Sequence, residues 1–172
     1  MPLSDLQFFT PRLDAVAYCP SGDIPDDFSR RIADVLTPSV KQHLPPEVHA
    51  VVDTESAKYW LTETLSDATL VTFSERGTRE FAGFILLYAI SDTPERIALR
   101  LGYVVSEDFQ GKGFASEIIE GLVAWCRASG CVSSLAGGAE KANAASLRVL
   151  EKNGFKMDIE SGTDTVFLSL TF

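Results

Sequence analysis

The stretch EDFQGKGFASEIIEG, residues 107–121, sets Gly111 and Gly113 on either side of Lys112, directly before an amphipathic run and with no ordinary capping side chain at the junction. The first turn of a helix leaves its amides without intrahelical partners, and the aligned peptide dipoles place partial positive charge there. Ser, Thr, Asp or Asn normally meets that demand, but Gln110-Gly111-Lys112-Gly113 removes side chains where a large group would approach the backbone. Such a start suits an anion, most often a phosphate, although for an isolated Gly-x-Gly a plain tight turn capped by water is the commoner explanation. A P-loop would need glycine where this chain has Ser106 and Ser or Thr where it has Gly113, and a dinucleotide fingerprint would need glycine where it has Ser116.

Working outward, Ala115, Ile118, Ile119, Leu122, Val123 and Cys126 form one apolar stripe at the 3.6-residue period, with Gly130 as a stop, so a helix follows the glycines. Before them, ERIALRLGYVV alternates: Ile97, Leu99, Leu101, Tyr103 and Val105 share one face of a strand, and Ala98, Arg100, Gly102 and Val104 the other. FFTPRLDAVAYC reads as an opening strand with a proline near its start. Phe28, Ile32, Val35 and Leu36 recur at helical spacing after Pro25-Asp26-Asp27, with Pro38 ending or bending that helix and the chain through LPPEV irregular. DTESAKYWLTETLSD is a second helix capped by Asp53 or Thr54, and ATLVTFSERGTREFAGFILLYAI is a hairpin. VSSLAGG is a strand, NAASLRVLEKNGF a helix from Asn143 to Asn153 and Gly154, and VFLSLTF a closing strand. This order predicts a mixed α/β (α+β) fold, a central twisted mixed sheet of about six to seven strands flanked by about four helices.

At 172 residues and 45% hydrophobic, the chain is long enough for one sizeable core, so residues 1–172 are expected to form a single domain. A formal charge of −9 argues against a nucleic-acid surface and requires any phosphate site to be local and built from backbone. The cysteines, Cys19, Cys126 and Cys131, and the histidines, His43 and His49, spell out neither a disulfide framework nor a metal site. The N-terminus lacks a signal-peptide pattern and no run approaches membrane-spanning length, so a soluble, cytoplasmic protein is expected.

Q-G-K-G-F-A after L-G-Y-V-V resembles the Q/R-x-x-G-x-G/A signature of the GNAT superfamily of N-acetyltransferases, and N-A-A-S-L-R-V-L-E-K-N-G-F resembles the family's later Asn-initiated helix. The resemblance extends more loosely to TPRL and AGFILLYAI, and within the family it points to the branch of ribosomal-protein N-terminal acetyltransferases. It implies an acyl-CoA N-acyltransferase fold and an acetyl-CoA site. Backbone amides of Gln110, Gly111, Lys112, Gly113, Phe114 and Ala115 would hold the pyrophosphate, and the strand at Tyr103 and Val105 would pair with the pantetheine arm, with the backbone near Tyr103 donating to the oxyanion. Asn143 would contact the cofactor arm, cap its helix, or do both. Lys112 and Arg148 would meet phosphates as point charges or stand as ordinary surface cations.

The resemblance implies transfer of acetyl from acetyl-CoA to a primary amine, on a small molecule or a protein N-terminus, by direct attack on the thioester. Ser146 matches the serine that the ribosomal-protein branch uses to protonate the CoA sulfur. The chain departs from the family at Leu150, where many members carry a tyrosine acid, and at Arg100, where some carry a glutamate base. Those departures leave open a non-catalytic acyl-CoA sensor or scaffold with the same fold. His49, Asp53 and Glu140 are candidate proton relays with ordinary loop or cap roles as alternatives. No metal is expected, and VFLSLTF serves either as a homodimer edge or as the end of the sheet.

Overall fold

The computed structural model describes residues 3–93, 95–158 and 164–172. Among them the strands are β1 (Gln7–Phe9), β2 (Leu13–Ala17), β3 (Ala68–Glu75), β4 (Phe81–Asp92), β5 (Ile97–Val105), β6 (Val132–Glu140), β7 (Lys156–Met157) and β8 (Thr165–Thr171). The α-helices are α1 (Asp26–Val35), α2 (Pro38–Lys41), α3 (Pro46–His49), α4 (Thr54–Leu65), α5 (Phe114–Ser129) and α6 (Ala144–Lys152). All strands join one sheet in the order β1-β2-β3-β4-β5-β6-β8-β7, with β5 and β6 parallel and the other neighbours antiparallel.

The mixed α/β architecture is as expected, while the strand and helix counts, eight and six among the described residues, exceed the expectation for local reasons. The opening strand is two strands, because the Thr10 amide turns back onto the Leu13 carbonyl at 2.8 Å and Pro11 sits in that turn. Pro38 neither ends nor bends α1, which stops at Val35; it starts α2, where a missing N–H does no harm and Thr37 accepts from the Val40 amide. Pro46 starts α3 in the same way. The segment read as irregular thus holds two short helices, pinned by the buried Lys41 ammonium, which donates to the Val51 carbonyl at 2.7 Å. Asp53, not Thr54, caps α4, in a reciprocal pair with Ser56.

Alternation along the strands builds a core on each side of the sheet. Leu13, Phe73, Ile85, Leu99 and Leu135 face the α5 stripe of Ile118, Ile119, Leu122 and Cys126. Leu70, Phe84 and Val104 face Ile32, Trp60 and Leu61 of α1 and α4. Trp125 packs at the edge of the first cluster, as its position off the stripe suggested. The cysteines are free thiols, and burial, with the nearby Cys131, pushes the Cys126 thiol up to about 12, so it is an inert core group. Among the described residues no helix is long and apolar enough to cross a membrane.

Gly121 sets how closely α5 approaches β1: a Cβ there would lie 2.5 Å from a ring carbon of Phe8 and 2.8 Å from the Thr10 methyl. Gly121→Val is therefore expected to cost about 1–3 kcal/mol through overpacking, measured as a lower midpoint in urea at unchanged slope.

Candidate active site

β5 and β6 run together only part of the way. Their pairing proceeds from Ile97 with Val132 to Leu101 with Gly137 and stops. β5 stays paired with β4 as far as Val105, and β6 with β8 as far as Glu140, so the two strands part along Gly102–Val105 and Gly138–Glu140. The buried Leu150 of α6 fills the vertex, its Cδ1 lying 3.1 Å from where a Cβ of Gly137 would stand. A cleft of about 1110 Å³ occupies the gap, lined by both strand ends, the loop before α5, the start of α6 and the segment between α2 and α3.

The loop before α5 opens into this cleft. Gly113 stands at the cap position with φ 83° and no side-chain cap, and Gly111 has φ 73°, a region that L side chains rarely adopt. Among the described residues no acceptor meets the amides of Gly111, Lys112, Gly113, Phe114 or Ala115, the Glu117 amide being the first to bond back, to the Gly113 carbonyl. The Gln110 amide differs from the expectation: it is taken by the Glu107 carbonyl at 3.2 Å. Gln110 instead braces the site through its side chain, which donates to the Val105 carbonyl at 2.9 Å. The Lys112 ammonium folds onto the Asp108 carbonyl at 2.8 Å.

Arg12 organises this loop. Its guanidinium donates to the Lys112 carbonyl at 3.0 Å and lies 3.9 Å over the Phe114 ring. Because the peptide unit is planar and trans, a Lys112 carbonyl held towards Arg12 turns the Gly113 N–H the opposite way. Arg12 is itself held by Glu117 of α5, at 2.7 Å through Nε and 2.9 Å through its amide. Sequence reasoning noticed TPRL only as part of a resemblance and missed this role; the contact joins residues 100 apart, and no local pattern encodes it.

On the same face of the sheet, α6 brings Ser146 to the cleft, and the Tyr103 hydroxyl lies 2.8 Å from Ser146 Oγ. Burial raises the Tyr103 pKa above 10.0, against a smaller opposing effect of the Ser146 hydrogen bond, so the phenol keeps its proton at neutral pH. The expectation for Tyr103 concerned its backbone alone; the side-chain pairing with Ser146 was not legible. Asn143 caps α6 through Oδ1, which accepts from the Ser146 amide at 3.3 Å, while its Nδ2 has no partner among the described residues. Phe114 is a core side chain, so only its amide faces the loop's task. The exposed Arg148 lines the cleft beside them.

The opposite face carries a different set. Tyr88 pairs with Arg100 across β4 and β5, and Phe167 with Gly138 across β8 and β6. Over them reaches the segment between α2 and α3, whose His43 Nδ1 meets the Glu140 carboxylate at 3.0 Å. Glu140 is thus engaged, His49 Nε2 meets the Leu44 carbonyl, and Asp53 is the α4 cap already described. Only Glu140 of these candidate relays lines the cleft.

A sequence model of the acetyltransferase (GNAT) domain matches residues 24–156. The chain therefore belongs to the GNAT acetyltransferase family. No curated protein matches it in sequence. Among solved structures it is similar to a ribosomal L7/L12 alpha-N-protein acetyltransferase, RimL, in complex with coenzyme A, with 19% identity, 95% of this chain and 96% of that one covered, and a TM-score of 0.75. It is also similar to the ribosomal-protein-S5-alanine acetyltransferase from Vibrio fischeri, with 17% identity, 97% of each chain covered and a TM-score of 0.73. A third is the microcin C7 self-immunity acetyltransferase in complex with acetyl-CoA and AMP, with 13% identity, 94% and 93% covered and a TM-score of 0.72. At these identities the likeness speaks for the fold.

Burial alone would raise the Glu117 pKa, but hydrogen bonds from Thr10 and from the side chain and backbone of Arg12, with the guanidinium charge, hold it below the usual 4.5. A carboxylate depressed in the folded state contributes stability above its unfolded pKa and loses that contribution as pH falls through its folded one. In thermal unfolding from about pH 7 to about pH 3, Glu117→Gln is expected to be the less stable protein at neutral pH, with the gap from wild type narrowing below pH 4.5. A gap that stays constant over that range contradicts the assignment.

Proposed function

We propose that this protein transfers an acetyl group from acetyl-CoA to a primary amine, of a small molecule or a peptide N-terminus, by direct attack of the amine on the thioester. The observation that carries the reading is the run of unpartnered amides from Gly111 to Ala115 in a loop that borders a cleft where the sheet itself has parted. Such a donor row at the positive end of a 16-residue helix is the environment a diphosphate needs, and the glycines leave its approach clear. The family match and the family neighbours crystallised with coenzyme A or acetyl-CoA support the same ligand. The reading takes residues 1–172 as one domain.

Acetyl-CoA supplies an acyl group already activated as a thioester, so the amine nitrogen must lose one proton and the departing sulfur must gain one. The chain's part is then to position and to stabilise. Gly111, Lys112, Gly113, Phe114 and Ala115 would hold the diphosphate through their amides, with Arg148 beside them. The main chain of β5 at Tyr103 and Val105, past the end of its pairing with β6 and with the Val105 carbonyl already accepting from Gln110 Nε2, would meet the pantetheine arm together with Asn143 Nδ2. Ser146 and Tyr103 are the hydroxyls placed to hand a proton into the cleft. With Leu150 buried against Gly137, Tyr103 brings a phenol to this place from the strand. The buried phenol stays protonated, so either hydroxyl of the pair can donate; with Tyr103 donating to Ser146 Oγ, the serine proton would be free to point at the sulfur.

Isothermal titration is expected to detect acetyl-CoA binding to the wild type, weakened by at least about tenfold in Gly113→Leu at an unchanged circular dichroism spectrum. Absence of wild-type binding removes the proposal. Ser146→Ala and Tyr103→Phe are expected to lower kcat by roughly a hundredfold or more while leaving the acetyl-CoA dissociation constant unchanged. Thiol release above background with any amine separates the enzyme from a non-catalytic acyl-CoA sensor.

A further inference from the structure

The face of the cleft away from α5 and α6 carries a cation without a partner. Arg100 lies on β5 two residues before Gly102, and its strand neighbour Ala136 immediately precedes Gly137, so it flanks the vertex where the strands part. Alternation puts Arg100 and Gly102 on the side of Tyr88 and Phe167, opposite Tyr103 and Ser146. Its guanidinium is exposed in the cleft, 5.8 Å from the Phe167 ring centroid. Among the described residues it has no hydrogen bond and no ion pair. Of the carboxylates near this wall, Glu140 is turned to His43, and Glu47 and Asp67 lie close enough to Tyr88 to add to the effect of burial in raising its pKa. Arg31, Arg79, Arg127 and Arg148 likewise have no ion pair among the described residues, so what sets Arg100 apart is its place on the cleft wall beside the vertex.

We propose that the acceptor is an amine carrying an anionic oxygen group, a carboxylate or a phosphate, a few bonds from its nitrogen, and that Arg100 grips that group. This rests on the acetyl-transfer reading above. That reading places the acetyl donor along the α5 and α6 face, so the opposite mouth is the acceptor's. A guanidinium within cation–π range of an aromatic ring and free of other partners presents a planar fork of N–H donors that matches a carboxylate or phosphate in bidentate fashion. An anion held there leaves an amine on the same molecule beside the gap between β5 and β6. The formal charge of −9 does not oppose this at close range, because charges beyond about 8 Å are screened at physiological salt while a bidentate contact is not. Arg100 is thus a specificity determinant that selects the acceptor by charge.

The test measures acetyl-CoA-dependent thiol release with matched amines: β-alanine against its amide, phosphoethanolamine against ethanolamine, and Ala-Asp against Ala-Lys as dipeptide amides. Each is run with wild type, Arg100→Gln and Arg100→Lys, with acetyl-CoA binding measured by titration in parallel. The anionic member of at least one pair is expected to exceed its counterpart by about ten- to a hundredfold in kcat/KM. Which pair responds separates a carboxylate from a phosphate ligand. Arg100→Gln is expected to erase the preference and Arg100→Lys to keep part of it, with acetyl-CoA binding unchanged in both. The proposal is overturned if an enzyme that binds acetyl-CoA uses neutral or cationic members as well or better, if it uses no anionic amine, or if the preference survives in Arg100→Gln. Failure of the wild type to bind acetyl-CoA overturns the acetyl-transfer reading along with it.

Discussion

The molecule depends on a pairing that ends early. Beyond Leu101 and Gly137, β5 and β6 each keep an outer neighbour and lose one another. Main-chain donors and acceptors inside a sheet are normally satisfied, because leaving them bare in a partly buried place is costly. Here the bare segment is a passage between the faces of the sheet, and the wedge that holds it open is hydrophobic: Leu150 packs where Gly137 has no side chain. Pairing of β5 with β4 and of β6 with β8 lets the gap persist without unravelling either strand.

Charge is arranged at short range against the sign of the whole. The chain is formally at −9, yet the cleft meets the start of α5, backed by Arg12, at one end, Arg148 on α6, and Arg100 on the opposite wall. None of these needs a basic surface. The α5 end uses amide dipoles, and Arg12 acts from behind by fixing one peptide plane, with Glu117 tying that arginine to the helix it serves. Acidic residues elsewhere therefore weaken the local fields little, since solvent and salt screen them.

The two hydroxyls and the two glycines of the site differ in how they could be read. Gly111 and Gly113 were legible as special, and their positive φ supplies a conformational reason that coexists with the ligand-binding one. Asn143 was likewise legible as a cap, with its remaining N–H₂ left for other work. Tyr103 was not: its strand parity said only which face it occupies, and Ser146 lies 43 residues away. The Gln110 amide was misjudged because the short turn of residues 107–109 that consumes it depends on how the chain leaves β5.

By itself the sequence determined the elements whose signals are local: the α5 stripe, the alternation of β5, the hairpin of β3 and β4, the Asn143 cap and the glycine turn. Each follows from a period or a φ preference spread over a few residues. It under-read the segment of residues 36–50, where Pro38 and Pro46 each start a short helix in place of interrupting one. Tertiary structure alone decided where β5 and β6 part, that Arg12 sits behind the glycine loop, that Tyr103 meets Ser146, and that Arg100 stands unpaired. Those facts join positions far apart in the chain, and only sheet register and the packing of α5 and α6 bring such positions within bonding distance.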